Sequence, residues 1–160
     1  QRVCPGDETG GQSRGLLLDY LLLMKQRVLF LCTGNSARSQ IAEGLLRHLA
    51  GDRYDALSAG THPVGLNPGA VAAMRELGID ISAQRSKSID EFTDQAFDYV
   101  ITVCDRAKDS CPRCPRAGRL VRWSFEDPAA TMGSPEEQRR AFRTVRDQIK
   151  ARIEGFITAP

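Results

Sequence analysis

From Arg27 onward the chain alternates short apolar runs with stretches in which apolar residues return every three or four positions. That alternation predicts strands and helices in turn. Val28-Leu29-Phe30-Leu31 is a continuous β-favouring run of the kind that fills a parallel strand buried on both faces. Ile41, Ala42, Leu45, Leu46 and Leu49 fall at helical spacing and predict a helix over about 38–49, ending near Gly51. A second strand is expected over about 54–59. Asn67-Pro68 then offers an N-cap and a first-turn proline to a helix whose apolar side is Val71, Met74 and Leu77, and Gly78 stops it. Ser88 and Glu91 are spaced as a capping box for a short third helix. A third strand is read over 98–103 and a fourth over 120–123. Ser134-Pro135-Glu136-Glu137 opens a long last helix with Phe142, Val145, Ile149, Ile153 and Phe156 on its core side.

Strand followed by helix, repeated, argues for an α/β fold: an open parallel four-stranded sheet with helices on both faces. At 160 residues the chain suits one domain, and it shows no internal repeat. In such sheets ligands bind beyond the carboxyl ends of the strands, where the winding reverses. Cys32 follows the first strand, Cys104 the third, and Asp127 lies just past the fourth. The pattern therefore gathers three chemically able residues on one edge of the sheet.

A formal charge of +2 is too balanced to suggest a nucleic-acid partner. No run reaches the roughly 18 apolar residues a membrane helix needs, so no membrane association is expected. Five cysteines, Cys4, Cys32, Cys104, Cys111 and Cys114, are an odd and uneven set. They make a poor disulfide framework and a better fit to redox or metal chemistry in a reducing cytoplasm. Residues 1–23 differ from the rest: Gly10-Gly11-Gln12-Ser13 reads as linker, and the apolar stretch 16–23 is short and interrupted by Asp19. They are read as a flexible or non-native extension, or else a docking helix, ahead of a catalytic domain spanning 24–160.

The run Cys32-Thr33-Gly34-Asn35-Ser36-Ala37-Arg38-Ser39 occupies the first strand-to-helix turn. Such a turn aims backbone N–H groups and a helix N-terminus at one point, a cradle for a tetrahedral oxyanion. The same field should lower the pKa of Cys32 and make it a nucleophile, with Ser36 and Ser39 as supporting donors. Arg38 has the planar fork to grip two anion oxygens. Gly34 and Asn35 tolerate the left-handed backbone a closed loop needs. A lone cysteine and arginine at this spacing carry little information, but the flanking strand and helix make chance a poor explanation. With Gln40 and Glu43 following, the motif resembles the low-molecular-weight tyrosine phosphatase superfamily, and within it the thioredoxin-coupled arsenate reductase branch.

Cys104, Cys111 and Cys114 form a second cluster. A zinc site would lack an obvious fourth ligand, and three inert thiols in a polar loop would be odd, since inert cysteines are usually buried. A redox role fits better. The resemblance implies a Cys104–Cys111 pair that forms a disulfide after rearrangement of the segment between them. It also marks two departures: Ala37 stands where many relatives have a second cysteine, and Cys114 is extra.

Asp127-Pro128 resembles the superfamily's general-acid element, which would protonate a leaving oxygen. A phosphatase would pass through a cysteinyl-phosphate. A reductase would pass oxidation from Cys32 to Cys104 and on to Cys111. Hydrolysis needs no cysteine pair, and Ala129 and Ala130 follow where tyrosine phosphatases tend to carry an aromatic residue, so the reductase reading is favoured with weak phosphatase side activity. The implied substrate is arsenate, with phosphate or sulfate competing; the implied partner is thioredoxin or a similar thiol reductant; no cofactor or bound metal is called for. The resemblance also places Lys87 with Asn35, Glu43 and Ser58, where some reductases hold a potassium ion. The ammonium of Lys87 is read either as a built-in substitute for that ion or as a solvated side chain.

Overall fold

A computed structural model describes residues 15–16, 20, 24–105 and 114–159. Cys4, Cys111 and nearly all of the predicted extension lie outside the described residues. Four strands, β1 (Gln26–Cys32), β2 (Tyr54–Gly60), β3 (Ala96–Thr102) and β4 (Arg116–Arg122), form one parallel sheet in the order β2-β1-β3-β4. The α-helices are α1 (Arg38–Ala50), α2 (Pro68–Arg75) and α3 (Pro135–Thr158).

Central β1 explains its own unbroken apolar run, because both of its faces are covered. Val28 and Phe30 pack into a core with Ile41, Leu45 and Leu46 of α1, Met74 of α2 and Ile149 and Ile153 of α3. Leu29 and Leu31 meet Ile89, Phe92, Phe97 and Val100 on the other face, where Ile89–Phe92 forms a 3-10 helix. Side chains such as Leu45, wholly buried, contribute about 1.5–3 kcal/mol each by burial. Leu45→Ala would cost about 2–5 kcal/mol once the cavity is included.

Three local features differ from the sequence pattern. Ser88 caps its turn through the Asp90 N–H at 3.2 Å, while Glu91 turns out to Arg85 at 3.1 Å. The expected capping box is therefore absent, and a four-residue 3-10 turn replaces a helix. Strand β4 begins at Arg116, well before the expected 120, because an exposed edge strand carrying Arg116, Arg119 and Arg122 has no apolar run to announce it. Arg146 lies buried on the core side of α3 and donates to Ala73 O at 2.8 Å and Glu76 Oε2 at 3.0 Å. That fork ties α3 to the last turn of α2, whose N-cap, Asn67, borders the site described next.

Candidate active site

Strand β1 ends at Cys32 with β2 on one side and β3 on the other, so the chain reverses its winding at this residue. Loop 33–37 then carries the backbone into α1. It rests directly on β2: a Cβ at Gly60 would fall 2.6 Å from Thr33 O and 2.8 Å from Asn35 N. Segment 61–67 binds the loop's outer side, with Thr61, His62, Val64 and Asn67 donating N–H groups to the carbonyls of Cys32, Thr33, Gly34 and Ser36 at 3.3, 2.8, 3.0 and 3.0 Å. In a planar trans peptide the N–H opposes the C=O. Four carbonyls drawn outward therefore turn the N–H groups of Thr33, Gly34, Asn35 and Ala37 inward. Asn35 shows the result, its N–H donating to Cys32 Sγ at 3.1 Å.

Cys32 is almost fully buried, and burial pushes its thiol pKa up. This overturns the depressed pKa expected from the turn alone. The Ser39 hydroxyl, 2.8 Å from Sγ, the Asn35 N–H and the Arg38 charge oppose the rise, while nearby Cys104 adds to it. Desolvation outweighs these local favours because burial in the core penalises the charged sulfur more than they stabilise it. Ser36 lines the cleft but makes no hydrogen bond to the sulfur among the described residues. Within loop 33–37 Asn35 alone adopts the left-handed conformation, with φ +43°; Gly34 does not. Gly34 instead fits tightly, since a Cβ there would lie 3.0 Å from the Val64 side chain.

Behind the loop, every polar atom of the buried Asn35 side chain is engaged. Nδ2 donates to Ser39 Oγ and Ser58 Oγ, each at 2.9 Å, and Oδ1 accepts from the Lys87 N–H at 2.7 Å and from Gln40 Nε2 at 3.0 Å. The Ser58 hydroxyl donates to buried Glu43. Lys87 Nζ reaches Glu43 Oε2 at 3.5 Å and Arg85 O at 2.7 Å, and Arg47 grips the other carboxylate oxygen at 2.7 Å. Lys87 is only 8% exposed, so its reading as a solvated lysine is wrong.

A cleft of about 590 Å³ opens over the loop, lined by Cys32, Arg38, Cys104, Asp105, Phe125 and Asp127, among others. Arg38 donates to Phe125 O at 2.9 Å and lies 3.7 Å from Asp127 Oδ2. The other Asp127 oxygen caps the 3-10 helix Pro128–Ala130 by accepting from the Ala129 N–H at 3.0 Å. Cys104 is buried one residue past the point where the Val103 N–H bonds Leu31 O. Its sulfur lies 3.8 Å from Thr33 Oγ1.

Cys32 and Cys104 are free thiols. Cys114 is disulfide-bonded, which withdraws it from a set of zinc thiolates. Val64, Asn67, Asp105 and Phe125 line the cleft without having been foreseen; only Asn67 carried a signal, as a helix cap, and it did not point to a site.

Residues 27–159 match the family described as low molecular weight phosphotyrosine protein phosphatase. The chain is 49% identical over 132 residues to an arsenate reductase of Halalkalibacterium halodurans, covering 82% of this chain and 95% of that protein. It is 46% identical to an arsenate reductase of Bacillus subtilis strain 168, over 81% of this chain and 93% of that one. Among solved structures, an arsenate reductase in the phosphate-binding state aligns with a TM-score of 0.70 and 36% identity, covering 82% of this chain and 96% of the other. A low molecular weight protein tyrosine phosphatase from T. tengcongensis aligns with a TM-score of 0.69 and 27% identity, covering 83% and 98%.

Proposed function

This chain belongs to the low molecular weight phosphotyrosine protein phosphatase family, and from that membership and the two thiols of its cleft we propose that it reduces arsenate to arsenite. The observation that carries this reading is a pair of free, buried cysteines, Cys32 and Cys104, lining the same cleft. Ester hydrolysis has no use for the second thiol, whereas a two-electron reduction requires one.

Arsenate sits against the inward N–H groups of loop 33–37 with Arg38 on its oxygens. The Cys32 thiolate attacks arsenic, and the departing hydroxyl leaves as water with the proton of Asp127; general-acid help of this kind is worth about 10²–10⁴ in rate. The Cys104 thiolate then attacks Cys32 Sγ. The sulfur–arsenic bond breaks, its electron pair passes to arsenic, and arsenite leaves behind a Cys32–Cys104 disulfide. Cys111 attacks Cys104, freeing Cys32 and moving the disulfide outward to Cys104–Cys111, where a dithiol reductant such as thioredoxin takes the oxidation away. Cys114, disulfide-bonded in this structure, takes the place of Cys111 only once that bond has been reduced to a thiol. Detoxification of arsenic in a reducing cytoplasm is the setting that fits such a reaction.

The same cradle supports weak hydrolysis of phosphate esters. Ala129 and Ala130 in the cleft wall supply no ring for an aryl substrate to stack on. The deciding experiment measures arsenate-dependent NADPH oxidation with thioredoxin and thioredoxin reductase against phosphotyrosine hydrolysis under matched conditions. Faster phosphotyrosine turnover with no arsenate-dependent oxidation would overturn the reductase reading.

A further inference from the structure

Gln40 is wholly buried on the first turn of α1, a costly place for an amide unless its donors and acceptor are all met. Three oxygens surround its Nε2: Asn35 O at 3.1 Å, Asn35 Oδ1 at 3.0 Å and Arg85 O at 3.0 Å. All three only accept, so this end of the amide must be the nitrogen. Gln40 Oε1 therefore faces Gln84, whose Nε2 donates to it at 2.8 Å and to Gln40 O at 3.0 Å. Gln84 Oε1 in turn faces Arg47 at 3.4 Å.

The direction of these bonds runs on to the thiol. Asn35 Oδ1 is held by two donors, the Lys87 N–H and Gln40, so its Nδ2 must face Ser39 and Ser58. Ser58 gives its proton to Glu43 and accepts from Asn35. Ser39 accepts from Asn35 as well, which leaves its own proton for Cys32 Sγ.

We propose that Gln40, held by Gln84, is a positioning residue for the nucleophile: it braces both oxygens of Asn35, so that the Asn35 N–H and the Ser39 hydroxyl stay aimed at the Cys32 sulfur. Neither glutamine touches substrate. The inference rests on Cys32 being the nucleophile, and its test needs no arsenate, so failure of the reductase reading would leave the result standing.

Two variants separate positioning from packing. Gln84→Glu keeps the shape of a half-buried side chain beside Arg47 but has no donor for Gln40. Gln40 must then either face a carboxylate or turn its own oxygen onto three carbonyls, and the brace is lost both ways. Gln40→Met fills the space without polarity. Alkylation of Cys32 by iodoacetamide is followed against pH on the Cys32 peptide by mass spectrometry, with melting temperature in parallel. The other groups facing the sulfur, Cys104, Arg38, Asp105 and Asp127, are unchanged in both variants.

The alkylation midpoint should move to higher pH by roughly one unit, and the rate at pH 7 should fall about tenfold, the size of a weakened bond to a charged sulfur. A Gln84→Glu protein that alkylates like the parent overturns the proposal, and it decides the matter if Gln40→Met does not fold. A Gln40→Met protein that melts lower yet keeps the parent's midpoint overturns it too, because the glutamine is then only packing.

Discussion

Ser39 Oγ lies 2.8 Å from Cys32 Sγ, and its hydroxyl is the strongest force opposing the rise that burial imposes on the Cys32 pKa. Removing it should raise that pKa further. Ser39→Ala should therefore shift the pH profile of thiol alkylation to the alkaline side and slow turnover near pH 7 by about tenfold, as expected for one lost bond to a charged group. It should not abolish turnover, since the Asn35 N–H remains. An unchanged titration of Cys32 would remove Ser39 from this role.

The raised Cys32 pKa also bears on stability. A thiol that titrates higher in the folded than in the unfolded chain contributes fully below the unfolded value, about 8.5, and that contribution is lost as pH rises through the folded value. Melting temperature should accordingly fall more steeply above pH 8.5 in the parent than in Cys32→Ser. Parallel pH–melting curves for the two proteins check this.

Cys32→Ser should abolish both arsenate reduction and any ester hydrolysis, because no other nucleophile stands in the cradle. Arg38→Lys should lose at least about 10²-fold. A lysine has no planar fork, so it cannot hold an anion while also bonding Phe125 O and facing Asp127, as Arg38 does at 2.9 and 3.7 Å. Steady-state assays of both activities on the purified variants measure it.

Cys104→Ser should stop steady-state arsenate turnover and spare ester hydrolysis. Cys104 sits past β3 and bonds only weakly to Thr33, at 3.8 Å between heavy atoms, so its loss removes a reactant without dismantling the loop. Mass analysis of the stalled variant should find arsenic on Cys32. Loss of both activities would mean instead that the residue holds the site together.

What could be read from the sequence was what is local. The β1–loop–α1 unit is contiguous, so its apolar run, cysteine, arginine and helical spacing lie within one short stretch. Placement of Cys104 and Asp127 beside it followed from parallel strand order. The Cys32 pKa was misjudged because the turn supplies favourable dipoles locally, whereas desolvation comes from core packing over the whole domain. The Gln40–Gln84 bond joins residues 44 apart in the chain, and no spacing rule links them. Strand β4 was missed at its start because an exposed edge has no apolar signature. Arg146 was missed because its charge hides a core position at helical spacing.

Lys87 carries the last prediction. Its ammonium is buried between Glu43 and Arg85 O, at 3.5 and 2.7 Å, and its own N–H holds Asn35 Oδ1. A buried cation here already neutralises a carboxylate that would be costly to leave unpaired, the part that the resemblance would assign to a potassium ion. Turnover should therefore be the same in potassium and sodium at equal ionic strength. Lys87→Ala removes the ammonium but keeps the backbone N–H to Asn35, leaving Glu43, Ser58 and Arg85 O around an opened space. That variant should be slower in sodium and recover activity in potassium, a larger and more easily dehydrated ion. Clear potassium activation of the parent would show that Lys87 does not fill the cation's place, and a Lys87→Ala variant indifferent to both ions would show that the space it leaves holds no ion at all.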